Sequence, residues 1–199
     1  MQPDSNVTRA SLISRAKSQD SQAWGELVDL YGPLIAHWCY RCGMNPHQTA
    51  DEVQEVFTAV AKSLRDYKAE RSHGSFRAWL WTITSNKIKD HYRRNQNQVS
   101  ARGGSTALAA MEQLAEPSEV PEAEPTDSEQ ISALVSRGLE QVRAEFEPRT
   151  WDIFRRSVVD QIPTTTVAQE FCITAGAVRQ VRSRVLRRLR QQLGDLEVD

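Results

Sequence analysis

The sequence predicts an all-α protein: two small helical domains, an N-terminal helical bundle and a C-terminal helix-turn-helix, joined by a flexible linker. Apolar residues recur at helical spacing over residues 9–94 and again over 130–193, whereas residues 95–129 show no periodicity at all. Nowhere do apolar and polar residues alternate as in a half-buried strand. With 199 residues, 39% of them hydrophobic, the chain can bury a core in each domain.

The first block reads as three helices. Asp20 is placed to cap a helix carrying Trp24, Leu27, Val28, Tyr31, Leu34, Ile35 and Trp38. The Gly32–Pro33 step is expected to bend or break it, and Gly43 to end it. Asn45 and Pro46 open a second helix with Val53, Val56, Phe57, Val60, Leu64 and Tyr67 on one stripe and Asp51, Glu55 and Lys62 opposite. After the charged loop KAERSHGS, Ser75 caps a third, predicted from Phe76 to about Arg94. Phe76, Trp79, Leu80 and Ile83 face its core. Trp81, Ile88 and Tyr92 fall on another side, beside Lys89.

The stretch 95–129 has Pro117, Pro121 and Pro125 and seven acidic residues, too polar to form a core, and reads as a linker. Fully extended it spans roughly 115 Å, and relaxed ~33 Å. In the last block Pro148 starts a helix with Trp151, Ile153, Phe154 and Val158, and Pro163 separates it from the next helical segment.

The net charge of -1 hides a partition. Lys and Arg outnumber Asp and Glu by 13 to 10 in residues 1–94 and by 9 to 6 in 148–199, but are outnumbered 3 to 10 in 95–147. Two mildly basic modules on a solvated acidic connector suit nucleic acid. No window approaches an apolar membrane span, and the N-terminus lacks the pattern of a secretory signal, so the expected location is the cytoplasm, with Cys39, Cys42 and Cys172 as reduced thiols.

The segment TTTVAQEFCITAGAVRQVRSRVLRRL has the layout of a helix-turn-helix. Val167, Ala168 and Phe171 point inward from a short helix, the turn passes through Cys172, Ile173 and Thr174, and the second helix begins near Ala175 with Val178, Val181, Val185 and Leu189 inward. Its other face carries Arg179, Gln180, Ser183, Arg184, Arg187 and Arg190. Arginine fills six of the twelve positions from 179 to 190, and no acidic residue lies between Phe171 and Gly194, so no ion-pair partner is expected for them. Arginine binds guanine edges or phosphates, which makes this a surface for DNA. In GSFRAWLWTITSNKIKDHYRR, aromatic and basic residues interleave, a pattern suited to separated bases and their phosphates.

ADEVQEVFTAV, followed some twenty residues later by GSFRAWLWTITSNKIKDHYRR and then by the helix-turn-helix, resembles the extracytoplasmic-function (ECF) group of bacterial sigma factors, in both motifs and in their order. The resemblance covers roughly residues 9–94 and 130–193. It implies that Asp51, Glu52, Gln54, Glu55 and Phe57 dock on the clamp helices of core RNA polymerase. It implies that the loop from Arg71 to Ser75, with Asn86, Lys87, Lys89, Arg93 and Arg94, melts the minus-10 element and holds a flipped base. It assigns the minus-35 element to Arg179, Gln180, Ser183, Arg184 and Arg187. Core polymerase and promoter DNA are the implied partners, with an anti-sigma factor a further partner of the kind that restrains this group. The linker is longer and more acidic than is typical, which suggests that Glu116, Glu119, Glu122 and Glu124 mimic nucleic acid in a basic channel. Cys172 stands where glycine often forms the turn.

Two other readings stand beside this one. His37, Cys39, Cys42 and His47 form a zinc-like string, but ligand spacing from within a helix closes a tetrahedron poorly, so neither metal nor cofactor is expected. No nucleophile, base and oxyanion arrangement supports an enzyme, so no catalytic residue is assigned. An ordinary helix-turn-helix regulator, binding duplex DNA as a dimer without polymerase, is the alternative.

Overall fold

A computed structural model describes residues 11–68, 75–102 and 120–194, with backbone alone over 96–102. The described residues are all-α: α1 (Leu12–Lys17), α2 (Ser21–Arg41), α3 (Pro46–Ser63) with a 3₁₀ turn at Leu64–Asp66, α4 (Phe76–Arg102), α5 (Ser128–Arg143), α6 (Pro148–Phe154) continued by a π turn at Arg155–Val159, α7 (Thr164–Glu170) and α8 (Ala175–Gln192). The chain divides into two compact units, one of Leu27–Ser132 and one of Met1–Glu26 with Ala133–Asp199.

In the unit of residues 27–132, α2 contributes Leu27, Leu30, Tyr31, Leu34, Ile35 and Trp38, all essentially inaccessible to solvent. Tyr31 meets Phe76 edge-on with ring centroids 5.2 Å apart, and Trp38 meets Trp81 at 5.3 Å. Tyr67, just after the 3₁₀ turn, closes the cluster against Phe76 and Trp79. Such pairs add about 0.5–1.5 kcal/mol each beyond the area they bury.

The helix starts agree with the sequence. The Asp20 carboxylate accepts from the backbone N–H of Gln22 and Ala23, and Asn45 and Gln48 form a reciprocal capping box at α3. Gly43 ends the α2 region at φ 86°, a left-handed conformation that glycine adopts without steric cost. Pro33, by contrast, neither breaks nor ends α2. Pro33 and Asp29 are both exposed, so the Asp29 carbonyl that loses its helical donor faces water.

Three expectations on α4 and its surroundings are corrected. The helix runs eight residues past Arg94 to Arg102. Trp81 and Ile88 are buried and Tyr92 is half-buried, its hydroxyl donating to the Cys42 carbonyl at 2.6 Å, so these side chains form core rather than an exposed stacking face. Residues 120–127, inside the expected linker, pack against α2 and α4. Residues 103–119 lie outside the described residues.

In the other unit, α1 and the first turns of α2 fold with α5–α8. Glu26 is the hub: it accepts from Arg15 at 3.0 Å and from Gln192 at 3.0 Å, while its carbonyl accepts from Gln141 at 2.9 Å. Gly138 lets α5 approach α8 closely, since a Cβ there would stand 2.8 Å from Leu193 Cδ2 and 3.1 Å from Leu189 Cδ1. Ile153, Val167, Ala168 and Val178 form the helix-turn-helix core, with Phe171, Ile173 and Val181 packed on it.

Cys172 occupies the turn at φ 53°. A side chain in that region costs roughly 1–2 kcal/mol, whereas glycine is free of this strain. Cys172→Gly is therefore expected to raise stability by about 0.5–1 kcal/mol in thermal or urea unfolding, and Cys172→Val to lower it by at least as much.

Candidate nucleic-acid interface

The second helix of the motif, α8, starts from Thr174, whose hydroxyl accepts the Ala177 N–H at 3.1 Å. Val178, Val185 and Leu189 are buried against the unit's core. That packing turns Arg179, Gln180, Ser183, Arg184 and Arg187 outward, all exposed. Among the described residues no carboxylate pairs with Arg179, Arg184 or Arg187, so their guanidinium groups present unmatched positive charge on one face. The first helix of the motif is held by two arginines of the preceding segment. Arg149 donates to the Phe171 carbonyl at α7's end at 2.7 Å, and Arg156 grips Glu170 with two hydrogen bonds of 2.8 and 3.2 Å.

Arg188 departs from the expected picture of unpaired arginines. Its side chain is 8% exposed and forms a bidentate pair with Glu145, at 2.6 and 2.7 Å, from the segment after α5. At 100° per residue Arg188 lies about 20° from Val181, at the edge of the apolar stripe. That angle was the signal in the sequence; the partner, 43 residues away, was not visible there. The pair fixes the rotation of α8 about its axis.

The second candidate face lies on α3 and α4. Asp51, Gln54 and Glu55 are exposed on α3, Phe57 is half-buried, and Glu52 is buried at 2% exposure. Asn86, Lys89, Arg93 and Arg94 are exposed along α4, and Ser75 caps the helix by accepting the Ala78 N–H at 3.3 Å. Arg71 lies outside the described residues. The two sets of residues assigned to different partners touch: Lys87 donates to Glu55 across the helices at 3.1 Å, which holds the Glu55 carboxyl below its ordinary range. Arg93 pairs with Asp90 at 3.2 Å, and Lys87, Asp90, Arg93 and Arg94 line a shallow depression of about 290 Å³.

Glu52 faces His91, 3.4 Å away, between α3 and α4. The Asn95 amide lies 2.9 Å from His91 Nε2; with that amide as donor, His91 is neutral and its Nδ1 proton is directed at Glu52. Burial lifts the Glu52 carboxyl to about 6 and, with Arg94 nearby, lowers His91. Burial also pushes the Cys39 thiol up to about 12, which keeps it a protonated core side chain.

One helix face carries unmatched arginines on a helix-turn-helix and another carries paired cations among exposed carboxylates, surfaces of the kind a DNA-binding factor presents. Residues 27–98 match the Sigma-70 region 2 family. The whole chain is similar to the ECF RNA polymerase sigma factor SigW of Bacillus subtilis, with 24% identity over 92% of this chain and 96% of that one. It is 35% identical to the RNA polymerase sigma factor CnrH of Cupriavidus metallidurans, over 41% of each chain. A solved structure of CnrH in complex with the cytosolic domain of CnrY aligns over 89% of this chain and 92% of that one, at 20% identity and a TM-score of 0.37. Residues 27–98 carry a Sigma-70 region 2 domain, and the chain over most of its length is similar to RNA polymerase sigma factors of the ECF group. Its function is that of an RNA polymerase sigma factor in transcription initiation. No helix among the described residues is long and apolar enough to cross a membrane.

Two substitutions test the site's construction. Removing one partner of a buried ion pair strands the other, so Arg188→Ala is expected to cost about 3 kcal/mol, while the exposed Arg187→Ala changes stability by less than about 0.5 kcal/mol. Chemical denaturation of both variants measures the difference. Glu52 takes a proton more readily folded than unfolded, so its contribution to stability falls as pH rises from its ordinary 4.5 to about 6 and stays low above that. Glu52→Gln should therefore unfold on the order of 1 kcal/mol harder than wild type at pH 8, with no difference at pH 4. An equal effect at both pH values would contradict this.

Proposed function

We propose that the chain works as two modules on one polymerase-bound factor, with residues 9–94 region 2-like, 130–193 region 4-like and 95–129 connecting them. Asp51, Gln54, Glu55 and Phe57 on α3 form the core-polymerase contact, with Glu52 supporting it from inside, where its burial keeps it from an intermolecular contact of its own. Acidic side chains at helical spacing favour a basic partner surface. The loop from Arg71 to Ser75 with Asn86, Lys87, Lys89, Arg93 and Arg94 captures the minus-10 strand. The outward face of α8 reads the minus-35 duplex.

The observation that carries this reading is the orientation of α8. Packing of Val178, Val185, Leu189 and Arg188 inward leaves Arg179, Gln180, Ser183, Arg184 and Arg187 together on one exposed face. Arginine in a major groove binds guanine O6 and N7 with two hydrogen bonds, and neighbouring arginines neutralise phosphates.

Promoter opening in this scheme is driven by binding. Unstacking costs a few kcal/mol per base, and capture of the extruded base with phosphate contacts offsets it. The chain acts in the cytoplasm, where it meets core polymerase, and catalyses no reaction itself. An anti-sigma protein, the further partner implied by the family, would act by covering these faces.

Run-off transcription with purified core polymerase on a promoter library tests the reading. Wild type is expected to give RNA that depends on the chain. Arg179→Ala and Arg184→Ala should each reduce output from promoters with an intact minus-35 element by about 5–100-fold, equivalent to roughly 1–3 kcal/mol. Asn86→Ala should reduce opening without weakening minus-35 binding. No chain-dependent RNA, together with tight binding to duplex DNA by a dimer, would favour the regulator reading instead.

A further inference from the structure

The acidic segment after Val120 is held in the unit of residues 27–132 by one ion pair and two indole N–H donors. Arg77 Nε lies 2.6 Å from the Glu124 carboxylate. The Trp38 indole N–H donates to the Thr126 hydroxyl at 3.0 Å, and the Trp81 indole N–H to the Glu122 carbonyl at 3.4 Å. The Thr126 hydroxyl in turn donates to Glu124, and the Thr126 N–H bonds the Glu124 carbonyl at 3.0 Å, which folds the segment into a tight unit. Glu124 and Arg77 are largely shielded, with side-chain exposures of 13% and 22%. Arg77 and Trp81 are four residues apart, hence on one face of α4, while Trp38 comes from α2. The segment therefore bridges the two helices like a strap.

The strap grips the beginning of α4. Arg77 is the second residue of the helix, two residues after its cap Ser75, where the Arg71–Ser75 loop enters. At 100° per residue Asn86 lies on the opposite side of the helix from Arg77, so the strap leaves that face uncovered.

We propose that Glu124 and Thr126 are positioning residues for promoter opening. They fix the first turn of α4, with its cap Ser75, against α2. This rests on the assignment of the Arg71–Ser75 loop and of α4 to the minus-10 element. The reason is geometric: a capturing helix whose first turn shifts by an ångström holds a flipped base poorly, and preorganisation of that helix sets how much of the unstacking cost is recovered. Thr126 also satisfies an indole N–H that would otherwise be buried without an acceptor.

Opening kinetics of the complete polymerase complex provide the test, read by a fluorescent base analogue in the minus-10 element and run on a closed duplex promoter and on one with that element already unpaired. Glu124→Lys and Thr126→Ala are expected to slow opening of the duplex about tenfold while changing initiation from the unpaired template less than twofold. The exchange Arg77→Glu with Glu124→Lys should restore opening to within threefold of wild type. Equal losses on both templates would reduce the strap to general support of the fold and overturn the proposal. So would faster opening by Glu124→Lys, since Arg77 would then be a DNA ligand masked by the strap. Failure of the wild type to initiate from either template would instead overturn the minus-10 assignment on which the proposal rests.

Discussion

The contact between Trp38 and Trp81 ties together the two long helices of the region 2 unit. Both rings are essentially buried and meet edge-on at 5.3 Å, so the two helices that carry them can neither slide nor rotate independently. Leu80 and Ile88 are drawn inward with Trp81, and Thr84 satisfies its hydroxyl on the Leu80 carbonyl. The remaining face of α4, with Asn86, Lys89 and Arg93, is left outside as a geometric consequence. The same two indoles present their N–H groups to the acidic segment, which ties the start of α4 to the rest of the unit.

The two helices proposed to contact DNA differ in electrostatics in a way that suits the different tasks proposed for them. On α4, Lys87 is paired with Glu55 and Arg93 with Asp90, so each cation must exchange a carboxylate for a phosphate when nucleic acid arrives. Exchange of that kind contributes little net affinity, because a partly solvated ion pair is replaced by another. On α8, Arg179, Arg184 and Arg187 have no such partner among the described residues, so a phosphate or guanine would meet them without that exchange. Under the proposed assignment, a weaker single-strand face and a stronger duplex face favour recognition first and opening second.

Much of this was legible in the sequence because it is local. The caps at Asp20 and Ser75, the start of α3 at Asn45 and Pro46 and the inward stripe of α8 all arise from spacing within a few residues. The buried side of α4 was not legible. Phe76, Trp79, Leu80 and Ile83 compete with Trp81, Ile88 and Tyr92 on a helix that is apolar around most of its circumference, and only packing by α2, α3 and the strap decides between them. Proline at 33 misled because its tolerance depends on which side of the helix meets solvent. Arg188 with Glu145, Glu26 with Gln141 and Gln192, and Trp38 with Thr126 join residues too far apart in sequence for any pattern to reveal them. The faces proposed for polymerase and promoter came from the resemblance to sigma factors, and only the outward arginines of α8 followed from helical periodicity as well. Burial of Glu52 within one of them was invisible, since its partner His91 lies on another helix.

Binding of a labelled promoter duplex by this chain alone, by core polymerase alone and by the two together addresses the central claim most directly. A sigma factor whose two faces act through polymerase should bind weakly alone and confer, on the mixture only, promoter-specific affinity at least a hundredfold above that of either component. Tight, specific binding by the chain alone, unchanged on addition of core polymerase, would contradict the account.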